Sequence, residues 1–148
     1  MANKAHFRAL EKMYLGAPVN EYYKPQVHIE EGEAEIRIPI REDFFHAAGA
    51  AHGVTYFKTA DDSSFFAANS LVDDCFVLTT NLNLYLERPI AVGIIIGRAK
   101  VVFKSKTLFN TECILTNNNG DVIGRATATF FTTSRVPLDS NVGYVKQP

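Results

Sequence analysis

Residues 53–70 read GVTYFKTADDSSFFAANS, and the fold turns on them. The stretch holds no proline and no glycine beyond its first residue, so it predicts one helix of roughly 17 residues. Around it the chain reads as shorter or extended pieces. Downstream lie four strand-like runs, CFVLTTNLNLYL (75–86), AVGIIIGRAKVVFK (91–104), TLFNTECILTN (107–117) and DVIGRATATFFTT (121–133). NNNGD at 117–121 signals a hairpin, because Asn and Gly tolerate the positive φ of a tight turn. Upstream, QVHIEEGEAEIRIPI (26–40) reads as two short strands around Glu31-Gly32, the second alternating as Ala34, Ile36, Ile38 and Ile40. Residues 4–15 place Phe7, Leu10 and Tyr14 near helical spacing, with Gly16 and Pro18 as stops. Consecutive strands joined by short turns pair antiparallel, and their apolar face needs a cover. The single long helix is the only large apolar element available. The expectation is an α+β chain, a curved antiparallel sheet wrapped around one central helix. Its core runs over about 26–133, preceded by the helix at 4–15 and followed by a loosely held tail at 134–148.

Composition narrows the function classes. At 148 residues the chain is long enough for one domain with a real core, and 47% apolar with 21% charged residues is ordinary for a globular protein. A net charge of −1 provides no field for nucleic acid or an anionic membrane. Cys75 and Cys113 stand alone in apolar surroundings and read as core thiols. The opening MANKAHFRALEKMYLGAP lacks the apolar centre of a signal peptide, and IAVGIIIG (90–97) is too short to span a bilayer, so a cytoplasmic location is expected. His46 and His52 are not at a ligand spacing, and His6 and His28 are isolated, so no metal site is expected. No dinucleotide fingerprint, P-loop or nucleophile elbow occurs.

The helix carries two adjacent aspartates that read differently. Asp62 falls with Thr55, Lys58, Thr59 and Asn69, four residues after Lys58, which suits a solvated face with a weak ion pair. Asp61 falls with Val54, Phe57, Phe65 and Ala68, an apolar stripe. A carboxylate there must be hydrogen-bonded, paired or protonated. It is either a border residue satisfied by a nearby donor or a group poised for general-base or nucleophilic work. His52 and Gly53 sit at the helix N-terminus, where unpaired N–H groups and the macrodipole can hold an oxyanion. The plainer reading is that they only start the helix. Gly53 and Asp61 are eight residues apart, about 12 Å along one helix. They could share a carbonyl carbon only if a second copy of the helix ran antiparallel across a two-fold axis.

These residues resemble the hot-dog-fold acyl-CoA thioesterases, in the branch typified by the phenylacetate-degradation thioesterases. That family carries Asn-x-x-Gly-x-x-His-Gly-Gly and then an Ala-Asp or Val-Asp on its central helix. Here His46-Ala-Ala-Gly49-Ala-Ala-His52-Gly53-Val54 occupies the motif and Ala60-Asp61 the later offset. DSSFFAANS resembles the end of the family's helix, TTNLNLYLERP its strand ending in Pro, and FKSKTLF its strand turn, so the likeness covers about 33–133. The resemblance implies a hot-dog fold and an acyl-CoA thioesterase acting on an acyl or aryl thioester. It makes Asp61 the nucleophile or general base, the Gly53 N–H of a partner chain the oxyanion donor, and His52 a brace for the loop. Thr79 matches a strand hydroxyl that assists the attacking water in some members. As an ordinary strand threonine its parity sets it opposite Leu82, Leu84 and Leu86. The chain departs from the motif at His46, in place of Asn, and at Val54, in place of the second Gly, which narrows the acyl entrance.

Phe57, Phe65, Phe66 and Tyr85 suit an aryl or a medium-chain pocket alike. Arg98, Lys100, Lys104 and Lys106 alternate along a strand and its turn, so one face is expected to carry them. They read as a solvated face or as a landing site for the phosphates of coenzyme A. No cofactor is expected beyond the coenzyme A of the substrate. The expected assembly is a homodimer, able to pair into a homotetramer. Two rival functions fit the same residues, a hot-dog protein that binds acyl-CoA without turnover and a hot-dog enoyl-thioester hydratase.

Overall fold

The computed structural model describes residues 3–148. Helix α1 (Lys4–Leu15) starts at Asn3, whose side chain accepts from the His6 N–H, and ends at Gly16. A short α2 (Asn20–Tyr23), not foreseen from the sequence, follows the Ala17-Pro18 turn. Strands β1 (Gln26–Glu30) and β2 (Glu33–Pro39) form the expected hairpin. A 3₁₀ turn at Glu42–Phe44 then leads into α3 (Gly53–Asn69), whose 17 residues match the expected helix. Four strands complete the chain, β3 (Cys75–Leu86), β4 (Ile94–Lys104), β5 (Leu108–Thr116) and β6 (Val122–Pro137). All six strands pair antiparallel in the order β1-β2-β4-β5-β6-β3, and α3 touches every one of them. The result is the hot-dog architecture, with β3 as a free sheet edge. No helix among the described residues is long and apolar enough to cross a membrane.

How α3 meets the sheet corrects the expected stripe. Its buried face is built largely from small and polar side chains, among them Thr55, Thr59, Ala60, Ser63 and Ala67. Thr59 Oγ1 donates to the Thr55 carbonyl at 2.8 Å and Ser63 Oγ to the Thr59 carbonyl at 2.8 Å. These hydroxyls satisfy themselves on the helix's own backbone, which lets them enter the core, where Ser63 Oγ also meets Cys113 Sγ at 3.3 Å. The helix can then lie very close to β4, where a Cβ on Gly97 would stand 2.9 Å from Thr59 Cγ2. Val54 and Phe57 of the supposed core stripe instead remain 51% and 45% exposed. At the far end Asn69 is fully buried. Its Nδ2 donates to the carbonyls of Val72 (3.0 Å) and Cys75 (3.1 Å), and its Oδ1 accepts from the Val77 N–H (3.1 Å). That amide locks the helix end to the start of β3.

Two bulges alter which way side chains point. Between Thr79 and Asn81 the β3–β6 register slips, so Thr79 pairs with Phe130 while Leu82 pairs with Ala128. Thr79 and the leucines therefore share the helix-facing side, against the parity expectation. Between Val101 and Phe103 the β4–β5 register slips as well. Arg98 and Lys100 lie opposite the outward Ile114 and Glu112, whereas Lys104 lies opposite the buried Phe109. The basic stripe is thus divided between two faces.

The tail is held more firmly than expected. Residues 134–137 continue β6, Ser140–Val142 form a 3₁₀ turn, and Tyr144 is buried. Its hydroxyl lies 2.7 Å from His6 Nδ1, and His6 Nε2 lies 2.9 Å from the Asn69 carbonyl. The carbonyl can only accept, so Nε2 carries the proton and Nδ1 receives the phenol. One buried imidazole thereby joins α1, the end of α3 and the tail.

Candidate active site

Asp61 projects from the middle of α3 into a cavity of ≈ 720 Å³. Its Oδ1 accepts from Thr79 Oγ1 at 2.9 Å, the contact that the β3 bulge makes available. Burial raises the Asp61 pKa above the ordinary carboxylate range. The Thr79 hydrogen bond opposes that shift, the neighbouring Asp62 adds to it, and Lys58 pulls against it. Phe65, Phe66 and Phe76 line the same cavity, with Phe65 and Phe66 edge-to-face at 4.9 Å between centroids. Beyond them the wall is closed by Met13, Pro18 and Val19 from one end of the chain and by Val142 from the other. A carboxyl group whose pKa burial raises, with one hydroxyl donor and an aromatic cavity beside it, is equipped to take a proton from water.

Asp62 departs from the expectation. It does form the ion pair with Lys58, at 2.7 Å, but both side chains are mostly buried rather than solvated. The Tyr14 hydroxyl donates to the same Asp62 oxygen at 2.6 Å. Burial first, and then the Asp62 carboxylate, push the Tyr14 pKa far above its ordinary value, so the phenol keeps its proton. Tyr14 and the burial of the expected pair are missed by sequence reasoning, because nothing local places α1 against α3.

Gly53 opens α3 at a separate cleft of ≈ 270 Å³, shared with His46, Tyr56, Leu86 and Arg88. Among the described residues its N–H has no hydrogen-bond partner. His52 caps the helix, with Nδ1 accepting from the Val54 N–H at 3.0 Å. His46 Nδ1 accepts from the Ala48 N–H at 3.0 Å, so the imidazole orders the loop in its own way. Asp61 and Gly53 line different cavities of the same chain, in keeping with their separation along the helix. Val54 and Phe57 line neither. Arg98 is engaged on the outer face, with Nε 2.8 Å from Glu35 Oε1, and Lys104 and Lys106 border another cleft together with Asp73 and Asp74. Among the described residues no cluster of three His, Cys, Asp or Glu side chains could hold a metal ion.

Comparison with known proteins agrees with the fold. The family model "Thioesterase superfamily" matches residues 48–123, just over half of the chain. The solved structure of the Escherichia coli PaaI protein, from the phenylacetic acid degradation operon, superposes with a TM-score of 0.81 at 15% identity, covering 88% of this chain and 94% of that one. A mutant of the phenylacetic acid degradation protein PaaI from Thermus thermophilus superposes at 0.72 with 24% identity, covering 79% of this chain and 100% of that one. A curated relative from Thermoplasma acidophilum, provisionally named an esterase, is 22% identical over 70% of this chain and 79% of its own. With a hot-dog sheet around α3 and the family match running from the loop before Gly53 to the start of β6, the chain belongs to the thioesterase superfamily of thioester hydrolases.

Proposed function

We propose that the chain is an acyl-CoA thioesterase, hydrolysing an acyl- or aryl-CoA to the free acid and coenzyme A. The observation that carries this reading is Asp61, raised in pKa, bonded to Thr79 and facing an aromatic cavity. Asp61 accepts a proton from water as the water oxygen attacks the thioester carbon, or its carboxylate attacks that carbon directly. Thr79 holds the carboxylate in line. The developing oxyanion is taken by the unpaired Gly53 N–H of a second copy, at the positive end of its α3. Collapse breaks the C–S bond, and the thiolate leaves and is protonated. Where Asp61 has attacked directly, water then hydrolyses the resulting anhydride. Coenzyme A enters as part of the substrate, and no further group is used.

The second copy is supported by the free edge of β3, which exposes Leu78, Tyr85 and Leu86, and by the exposed Val54 and Phe57 on α3. A long apolar edge of this kind invites pairing with another chain. Two copies joined there form the working unit, and dimers of dimers are compatible with it. The proposed location is the cytoplasm.

The test is thiol release from short, medium, long and aryl acyl-CoAs by wild type and Asp61→Asn. Turnover that collapses in the variant, with folding and dimerisation intact, is the expected result and names the acyl class. No turnover on any thioester would sink the reading and favour an acyl-CoA binding protein, whereas equal rates in both proteins would remove Asp61 from the mechanism.

A further inference from the structure

We infer that Asp62 is a positioning residue for the proposed reaction, held with Lys58 and Tyr14 in a buried cluster whose carboxylate sets how readily Asp61 takes a proton. The inference rests on the role proposed above for Asp61. Its first support is the cluster's geometry. Asp62 Oδ2 accepts from the Tyr14 hydroxyl at 2.6 Å and from Lys58 Nζ at 2.7 Å, the double acceptor pattern of a carboxylate. Lys58 is itself confined, with Nζ 5.4 Å from the centre of the Tyr14 ring and 5.0 Å from that of Tyr23. Leaving Asp62 would cost the ammonium both aromatic faces as well.

The second support is the asymmetry between the two carboxyl groups. They come from successive residues of α3 and line one cavity. Two carboxylates in a partly dry site repel, and the one with weaker donors holds its proton longer. Asp61 has the single Thr79 hydroxyl, whereas Asp62 has an ammonium and a phenol. The fuller set of donors thus belongs to Asp62, and Asp61 is left as the carboxyl group that exchanges the proton. Around Asp61, α3 presents Lys58 and Asp62, α1 presents Tyr14 and Lys12, and β3 presents the neutral Thr79. The direction of the Asp61 shift agrees, because Asp62 pushes it up and Lys58 draws it down.

A cluster that only tied α1 to α3 through the Tyr14–Asp62 bond would leave the protonation of Asp61 unmoved by either substitution, and that difference provides the test. The carboxyl carbon of Asp61 is followed by NMR against pH in wild type, Asp62→Asn and Lys58→Met, alongside the pH profile of thiol release. Asp62→Asn should titrate Asp61 at lower pH than wild type, because the neighbouring negative charge is gone while Lys58 remains. Lys58→Met should titrate it at higher pH. The acid limb of the rate should move with the carboxyl group. Below the wild-type midpoint, Asp62→Asn should then keep about threefold more of its own plateau rate. An Asp61 midpoint unmoved in either variant, or moved in the opposite direction, overturns the inference. If one variant fails to fold, the other decides alone. The NMR titration needs no turnover. Midpoints that move as stated in a protein hydrolysing no ester would therefore sink the acyl-CoA reading and leave the coupling of the two carboxyls standing.

Discussion

Burial acts on Asp61 before any neighbour does, and it bears on stability and rate in opposite senses. The folded-state pKa lies above the unfolded one, so between those two values the folded chain binds more protons and stability falls as pH rises. At neutral pH Asp61→Asn should therefore melt no lower than wild type while losing about 10²–10⁴ in rate. Melting curves and thiol release on the same samples check both halves. For the wild type, the rate should rise with pH along a limb set above the ordinary carboxylate range. Gly53 offers a complementary case. A Cβ there meets only the flexible tip of Leu86, at 3.3 Å, so Gly53→Ala should fold normally. The methyl group would nevertheless occupy the approach to the N–H, and kcat should fall about 10²-fold, with melting as the control. The sequence singled out Asp61 by setting it with Phe65, and the fold does bring those two to one cavity, although Val54 and Phe57 of the same stripe stay exposed. Tyr14 was not legible, since it reads as an ordinary apolar position of α1 until the fold sets it against Asp62.

The elements show where sequence patterns stop carrying direction. The span of α3 was readable because nothing within it breaks a helix, and the strands were readable because turn residues bound them. The side of α3 that is buried was not, because Thr59 and Ser63 enter the core by bonding to the helix's own carbonyls, beside the equally buried Thr55. Hydrophobic periodicity sees such residues as polar. The bulges in β3 and β4 were hidden for a different reason. Register belongs to a pair of strands, so a slip that turns Thr79 inward or divides the lysines leaves no mark on either strand alone. The close seat of α3 on β4 leads to a prediction at this scale. Gly97→Ala brings a methyl group within 2.9 Å of Thr59 Cγ2 and 3.0 Å of the Thr59 carbonyl. It should destabilise the fold by about 1–3 kcal/mol, measured by urea unfolding, without touching Asp61.

Across the whole molecule, the two ends of the chain meet over the cavity that Asp61 faces. The family match spans 48–123, yet Met13, Pro18, Val19 and Val142 close that cavity from outside it. His6 keeps the ends together, and burial lowers its pKa below the ordinary 6.5. The sign follows directly. The unfolded chain binds the proton first, so stability is complete above the unfolded pKa and is lost as pH falls toward the folded one. Thermal midpoints should drop as pH is lowered below about 6.5, and His6→Gln should remove that part of the slope. The overall hot-dog plan was legible because one helix among consecutive strands leaves few other arrangements. The seating of the tail was not, since it depends on scattered long-range contacts, the Tyr144–His6 bond and the Leu138 N–H to the Asp74 carbonyl among them, rather than on any repeating pattern.

That same bond has a mechanical consequence. A force applied to the two ends of the chain would load the Tyr144–His6 contact and the last strand pairs of β6 well before the centre of the sheet. The tail would peel away first, at low force, and the Val142 side of the cavity wall would leave with it. The protein should then extend in two steps, a small early one that opens the cavity and a large later one that unravels the sheet around α3.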